Sequence, residues 1–326
     1  MNGKERMDIS VVMPTFNRRK MVTHAIERLM AQDYPPSRYE VVVIVDGSTD
    51  GTTEALQALQ PTRHLRIIEQ ENRGPAAARN TGYRAADAET ILFLDDDMLA
   101  EPGLIAAHVA THRQHRHGVA IGAIFLSADS PPSLATECFK REIGALHLQR
   151  EQRQDDAWPI KECIFSNTSL PRELLDAVGG FNEGFRMRED LELGLRLFSA
   201  GAQMHYVDKA IAYQQYEKTS AALIRDAEAF AQADALLARL HPEAARMGLL
   251  EWPLPPLRWK QMLYKITAIS PTISDLLLVP LCTLGEVFFT HPRLRNCGVF
   301  ALQMRRKIRW HRQIVKLSKA TSPITI

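Results

Sequence analysis

Asp95, Asp96 and Asp97 stand together directly after the apolar run TILFL (90–94). Three neighbouring carboxylates repel one another, so gathering them at the end of a buried segment without a cation is costly. Hard divalent ions such as Mg²⁺ and Mn²⁺ favour oxygen ligands and bridge substrate phosphates. In an extended chain alternate side chains share a face, so Asp95 and Asp97 can serve one target while Asp96 points elsewhere. The competing reading of the triplet is a solvated acidic turn. A second acidic group, Glu189, Asp190 and Glu192, opens the segment REDLELGLRL. Acids there suit proton transfer, and they equally suit the positive end of a helix dipole. Arg73 and Arg79 lie between triplet and amino terminus; a guanidinium fork matches phosphate, or simply faces water.

The elements around these residues alternate in type. ISVVMP (9–14), YEVVVIVD (39–46), LRIIEQ (65–70) and TILFLDDD (90–97) read as buried strands. Between them, 18–31, 49–60 and 75–86 carry helical spacing, the last with Pro75 at its start. This βαβαβαβ order predicts an α/β fold: a parallel sheet with helices on both faces and ligands beyond the carboxyl ends of the strands. Four polar clusters fall at those ends: Thr15-Phe16-Asn17, Asp46-Gly47-Ser48, Asn72-Arg73-Gly74 and Asp95 to Asp97. Further on, 120–126 reads as a strand and 133–157 as a polar helix. Residues 163–181 read as a short strand, a turn and a helix ended by Gly179-Gly180. An amphipathic helix over 188–201 precedes one or two closing strands in 204–214. Residues 220–240 form a long alanine-rich helix, WPLPPLRW (252–259) a bend, and 260–320 a basic helical stretch.

VVMPTFNR, VDGSTDGT, ENRGPAAARNTG, FLDDDMLAEP, VGGFNEGF and REDLELGLRL occur in the order and spacing of glycosyltransferase family 2, which the chain resembles over about residues 8–215. The resemblance implies a GT-A fold, a Rossmann-like mixed sheet with helices on both faces, and inverting transfer from a nucleotide sugar. It divides the chain into a catalytic domain, 1–219, and a helical, basic C-terminal extension, 220–326. The donor half of that domain is about 8–100 and the acceptor half 101–219. By the same resemblance, Pro14, Thr15, Phe16 and Asn17 meet the nucleoside, with Phe16 as a stacking surface. Asp46 accepts from the base, commonly the imide of uracil or thymine, or alternatively orders its own turn. Arg79 and Arg73 are diphosphate contacts, Arg79 the favoured one. Asp97 and Asp95 hold Mn²⁺ or Mg²⁺, and Asp96 stays with the donor. Asp190 becomes the general base for an acceptor hydroxyl and Glu189 orients that acceptor. The implied partners are a nucleotide-sugar donor, UDP-linked by preference, and a saccharide, glycolipid or protein acceptor. Where many relatives carry a metal-site histidine, this chain has Gln214 and Gln215.

Other readings are weaker. A nucleotidyltransferase of similar fold needs a glycine-rich, basic loop after its first strand, and PTFNRRK is not one. A non-catalytic sugar-nucleotide scaffold should lack the triplet or the Glu189-Asp190 pair. His108, His112, His115 and His117 read as a solvated helix face, His205 as structural, and Cys138 and Cys163 as packing groups. The chain has 326 residues and a net charge of +2. From Arg258 onward, twelve Lys/Arg face two acids, a net of +10; the rest carries 28 bases and 36 acids, a net of −8. A basic end on an acidic body fits peripheral contact with the inner face of the cell membrane, or packing and homodimer formation, rather than nucleic acid. The polar amino terminus, the scattered cysteines and the lack of a spanning apolar run fit a cytoplasmic protein.

Overall fold

The computed structural model of the protein describes residues 7–59, 64–151, 164–250, 261 and 270–320. The chain divides into two compact units, Met1–Asp129 with Gln149–Gln215, and Ser130–Leu148 with Tyr216–Ile326.

The first unit is built on a sheet of eight strands. β1 (Ile9–Thr15), β2 (Tyr39–Asp46), β3 (Leu65–Gln70) and β4 (Thr90–Leu94) lie parallel in the order β3-β2-β1-β4. They alternate with α1 (Arg19–Met30), α2 (Thr52–Ala58) and α3 (Pro75–Ala85). Period-two alternation divides β1 between two faces. Ile9, Val11 and Met13 join Val22, Ile26 and Leu29 of α1 in one core. Val12 points the other way, onto α3. There Gly82 lies so close that an added Cβ would stand 2.3 Å from Val12 Cγ1, so glycine lets helix and strand touch.

The later elements turn the sheet from parallel to mixed. They are β5 (Met98–Ala100), α4 (Leu104–Gln114), β6 (Gly118–Leu126), β7 (Asn167–Pro171), α6 (Arg172–Val178), α7 (Glu189–Ser199) and β8 (Gln203–Gln214); α5 (Leu134–Glu151), which falls between β6 and β7 in the chain, belongs to the second unit as far as Leu148. β7 runs antiparallel to β4 and β6, β8 runs parallel to β6, and β5 closes the edge antiparallel to β8. Three departures from the sequence reading have physical causes. The three-residue β5 is too short to leave a periodic signal. The strand expected to begin near 163 begins at Asn167, a polar residue buried because its amide donates to the carbonyls of Ala123 and Ala210. The histidines of α4 do not all face water. His108 pairs with Asn167 Oδ1 at 3.0 Å and with Ser169 Oγ at 2.8 Å, and His112 pairs with Ser169 Oγ at 2.7 Å. Burial lowers both imidazoles to about 4, so they are neutral core groups. His205 lies in β8 and stacks on His115 with ring centroids 3.9 Å apart.

The second unit is helical: α8 (Ser220–Leu240), α9 (Pro242–Arg246), α10 (Pro271–Val287) and α11 (Pro292–Ala320). Ala227, Ala231 and Ala235 of α8 pack on Trp310 and Ile314 of α11, and Trp310 Nε1 donates to Asp234 Oδ2 at 2.7 Å. Cys138 is buried in this unit. Cys163, the bend at 252–259 and the helical stretch of 262–269 lie outside the described residues. Among the described residues, no helix is long and apolar enough to cross a membrane.

Candidate active site

The polar clusters assemble beyond the carboxyl ends of β1, β2, β3 and β4, where an open α/β sheet binds ligands. At the end of β1, Thr15 Oγ1 donates to Asp96 Oδ2 at 2.7 Å. Pro14 is half-buried within the strand. Phe16 is 47% exposed, an apolar ring held open at the rim. Asn17, at φ 51°, takes the left-handed conformation that Asn tolerates better than most residues. Its Oδ1 accepts from Thr49 N at 2.8 Å and its own N–H donates to Ser48 Oγ at 2.9 Å, which stitches the first two loops together.

Asp46 ends β2 and is buried. Its Oδ1 accepts from Gln70 Nε2 at 2.7 Å and Arg73 N at 2.9 Å, and its Oδ2 accepts from Gly74 N at 2.8 Å. The carboxylate therefore orders the loop into α3. Oδ2 keeps one acceptor position beyond its single donor. The Arg73 side chain reaches out to Glu183 at 2.5 Å.

Arg79 is the hinge of the site. It is buried and bridges two acids far apart in sequence, donating to Asp95 Oδ1 at 2.8 Å and to Glu189 Oε1 at 2.7 Å. Both contacts are charge-assisted and fix their partners' orientation. Its guanidinium is committed to carboxylates rather than presented to solvent. Asn80, the next residue, grips the loop after α6. It donates to the Phe181 carbonyl at 2.9 Å and to Glu183 Oε1 at 3.0 Å, and accepts from Phe181 N at 2.8 Å. Gly180 lies against this clasp with φ +74°, and a Cβ there would sit 2.6 Å from Asn80 Oδ1. Gly179 has φ +81° but nothing within 4 Å. Gly179→Ala is thus expected to cost about 1–2 kcal/mol of stability through its backbone conformation alone. Gly180→Ala should cost about 1–3 kcal/mol more through the clash. Thermal melts of the two variants check this, and equal melting points would contradict the clasp.

The three carboxylates do not continue β4. The strand stops at Leu94, and Met98 N donates to the Asp95 carbonyl at 3.1 Å, so residues 95–98 form a turn. Simple alternation therefore does not apply, and each acid finds its own partners. Asp95 takes Arg79 and Ser166 Oγ, the latter at 2.6 Å. Asp96 takes Thr15 and Arg18 Nη1, the latter at 2.9 Å. Asp97 Oδ2 takes Arg18 Nη1 at 3.2 Å and Gln214 Nε2 at 3.1 Å. Arg18 and Ser166 went unread in the sequence. Arg18 is one of two arginines in NRRK, and only the fold shows which reaches the acids.

Burial pushes the Asp96 carboxyl up to about 7, with Arg18 opposing the rise and the Asp97 charge adding to it. Burial, then the charge of Asp95, raises Asp97 as well. Positive charge is thus undersupplied. Asp97 Oδ1 is buried with no partner, and so is Gln215 Oε1, whose backbone N–H donates to the Asp97 carbonyl at 2.8 Å. An orphaned acceptor oxygen on Asp97, in a carboxylate that already feels the charge of Asp95, fits a hard divalent cation. Among the described residues no three His, Cys, Asp or Glu side chains form a ready metal cage. A divalent cation here would have to take most of its ligands from phosphate and water.

Asp190 is the second residue of α7. The helix is preceded by Arg188 at φ 65°, a left-handed conformation unusual for arginine, and Asp190 Oδ1 accepts from Leu191 N at 2.9 Å. Desolvation and the neighbouring Glu189 charge raise Asp190 to about 7, against the opposing pull of Arg79. A carboxylate poised near neutrality is the ordinary requirement of a general base.

The profile described as glycosyl transferase family 2 matches residues 10–179. The validoxylamine A glucosyltransferase of Streptomyces hygroscopicus subsp. limoneus is 30% identical over 225 residues, 60% of this chain and 49% of that protein. The chain spans about half the length of the curated relatives it matches. Among solved structures, the mannosyltransferase PcManGT from Pyrobaculum calidifontis, in complex with GDP-Man and Mn²⁺, superposes with a TM-score of 0.62 at 20% identity, over 95% of this chain and 87% of that one. Residues 1–349 of Staphylococcus aureus TarS, in complex with UDP-GlcNAc, give a TM-score of 0.54 at 19% identity, over 94% and 92%. These likenesses establish the fold as GT-A, a mixed sheet with helices on both faces followed by C-terminal helices. With its profile match extending from β1 to the end of α6, this protein belongs to glycosyl transferase family 2.

Proposed function

We propose that the chain transfers a sugar from a nucleoside-diphosphate sugar, UDP-linked by preference, to a hydroxyl of a saccharide, glycolipid or protein acceptor, with inversion at the anomeric carbon. The observation that carries the reading is the Arg79 bridge, which ties the carboxylate triplet to the Glu189-Asp190 pair through bonds of 2.8 and 2.7 Å. Inverting transfer needs those two groups side by side, one at the diphosphate and one at the attacking hydroxyl.

In this mechanism the base stacks on Phe16, and the open acceptor position of Asp46 Oδ2 takes its imide N–H. Thr15 and Asn17 hold the loop that presents Phe16, and Pro14 sets its direction. Asp97 and Asp95 would hold the cation; when bound, Mn²⁺ or Mg²⁺ would neutralise charge on the departing diphosphate. That the PcManGT complex contains Mn²⁺ supports this assignment. Asp96 secures Thr15 and Arg18 to the site, and Arg73 stands at the outer edge of the diphosphate position. Asp190 accepts the proton of the acceptor hydroxyl as its oxygen attacks the anomeric carbon. Glu189, fixed by Arg79, holds Asp190 and the acceptor in register.

Thermal shift with UDP, TDP and GDP, each with Mn²⁺ or with EDTA, tests donor binding. At least one nucleotide should stabilise the protein with metal and lose that effect with EDTA. Stabilisation by none would count against the reading. Phe16→Ala should weaken nucleotide binding by about 1–3 kcal/mol, the worth of one base–aromatic stack. Calorimetry showing unchanged affinity would remove Phe16 from the nucleoside site.

A further inference from the structure

The second unit carries an apolar surface that no feature of the transfer site explains. α10 is apolar on two faces. Ser274, Leu278, Cys282 and Gly285 are buried along one of them. Gly285 packs so closely on α11 that an added Cβ would lie 2.6 Å from the Gly298 Cα. The opposite face holds Ile273, Leu276, Leu277, Leu284, Val287 and, one residue past the helix, Phe288, all exposed, with Leu276 at 72% and Val287 at 68%. Their three- and four-residue spacing puts them in one stripe about 22 Å long. Exposed apolar stripes of this size mark an interaction surface.

Charge decides what covers it. The two acids of α10 stand off the stripe and are engaged within this unit: Asp275 with Arg305 at 3.4 Å, and Glu286 with Ser220 Oγ at 2.7 Å. The end of the stripe at Phe288 runs directly into exposed His291 and Arg293, and Arg295 stacks over Phe289 at 5.4 Å. From Arg258 to Ile326 the sequence carries a net of +10, of which Arg306 and Lys307 are buried and Arg305, Arg306 and Arg309 are paired with acids. The charge exposed beside the stripe is that of Arg293; two copies of a basic face repel one another, whereas an anionic lipid headgroup layer attracts it. No helix among the described residues is long and apolar enough to span a bilayer, so this one would lie on the surface.

We propose that the outward face of α10 inserts into the headgroup region of an anionic bilayer, with the basic start of α11 beside it on the phosphates. The proposal does not depend on the transfer chemistry. It gives the basic carboxyl end a defined contact face, made of leucines on α10 rather than of charge alone.

Flotation of the full chain with vesicles tests it. Phosphatidylcholine vesicles with about one-third phosphatidylglycerol should carry the protein at about 0.1 M ionic strength, and pure phosphatidylcholine should carry far less. Leu276→Glu with Leu284→Glu should reduce partitioning at least tenfold, because burying one leucine is worth about that much or more. Arg293→Gln should reduce it about fivefold and only on anionic vesicles. All three residues are exposed or end-of-turn positions, so melting curves should match the parent's. A Val287→Trp variant gives an independent readout: its fluorescence should be quenched by brominated lipid. Undiminished flotation of the double glutamate variant, or an unquenched Trp, would overturn the proposal. A parent dimer that the glutamates dissociate, with no vesicle binding, would do so too, and would assign the stripe to a second copy.

Discussion

The Asp190→Asn protein should bind nucleotide sugar and metal as the parent does, and transfer sugar about a thousandfold more slowly, the usual worth of a placed general base. The isosteric amide keeps the shape of the α7 terminus but accepts no proton. In the parent, desolvation and the Glu189 charge raise this carboxyl to about 7, with Arg79 and Arg188 opposing. Transfer by the parent should therefore rise with pH through about 7 and level off once Asp190 is ionised. The same shift predicts a stability effect of opposite sense. The folded-state value lies above the ordinary 3.8, so the folded chain retains a proton that the unfolded chain has released between those limits. Stability from this group is full at low pH and is lost as pH rises toward 7. Asp190→Asn should thus melt higher than the parent at alkaline pH, with the difference closing as the pH is lowered. A variant that is slow and less stable throughout would instead mark Asp190 as a structural cap.

Asp97→Ala should abolish metal-dependent donor binding. The parent buries Asp97 Oδ1 with no partner and raises the carboxyl through burial and the charge of Asp95. A divalent cation held there would relieve both conditions and supply positive charge to the diphosphate. Removing a direct ligand should cost more than the roughly 10–100-fold that loss of an outer-shell partner costs in metal affinity. Titration calorimetry with UDP should show tight binding by the parent with Mn²⁺, weak binding with EDTA, and weak binding by Asp97→Ala under both conditions. Arg18, relieved of one of its two acids, still pairs with Asp96, so the variant should fold. If the parent binds UDP equally well with EDTA, the cation role of Asp95 and Asp97 fails.

The parts of this site that the sequence made legible are those written locally. ISVVMP and YEVVVIVD are rich in apolar β-branched residues, and they lie in β1 and β2. The helix expected over 220–240 is α8 to the residue. Asp95 to Asp97 announced themselves by charge repulsion. What stayed hidden depends on contacts across long separations. Arg79 meets Glu189 across 110 residues, and Arg18 meets Asp96 across 78. No periodicity records such pairings. His108 read as part of a solvated helix face; it is buried against Asn167, and the two satisfy one another at 3.0 Å. The end of β4 at Leu94 was equally silent, since a turn and a strand place the same acids in the same order.

The most direct test is nucleotide release by the full chain in a screen of UDP-, TDP- and GDP-sugars with Mn²⁺ or Mg²⁺. The proposed function predicts that at least one donor yields free nucleoside diphosphate in a metal-dependent reaction that Asp190→Asn suppresses. A metal-dependent release that Asp190→Asn leaves untouched, or no release from any donor that the protein demonstrably binds, would contradict it.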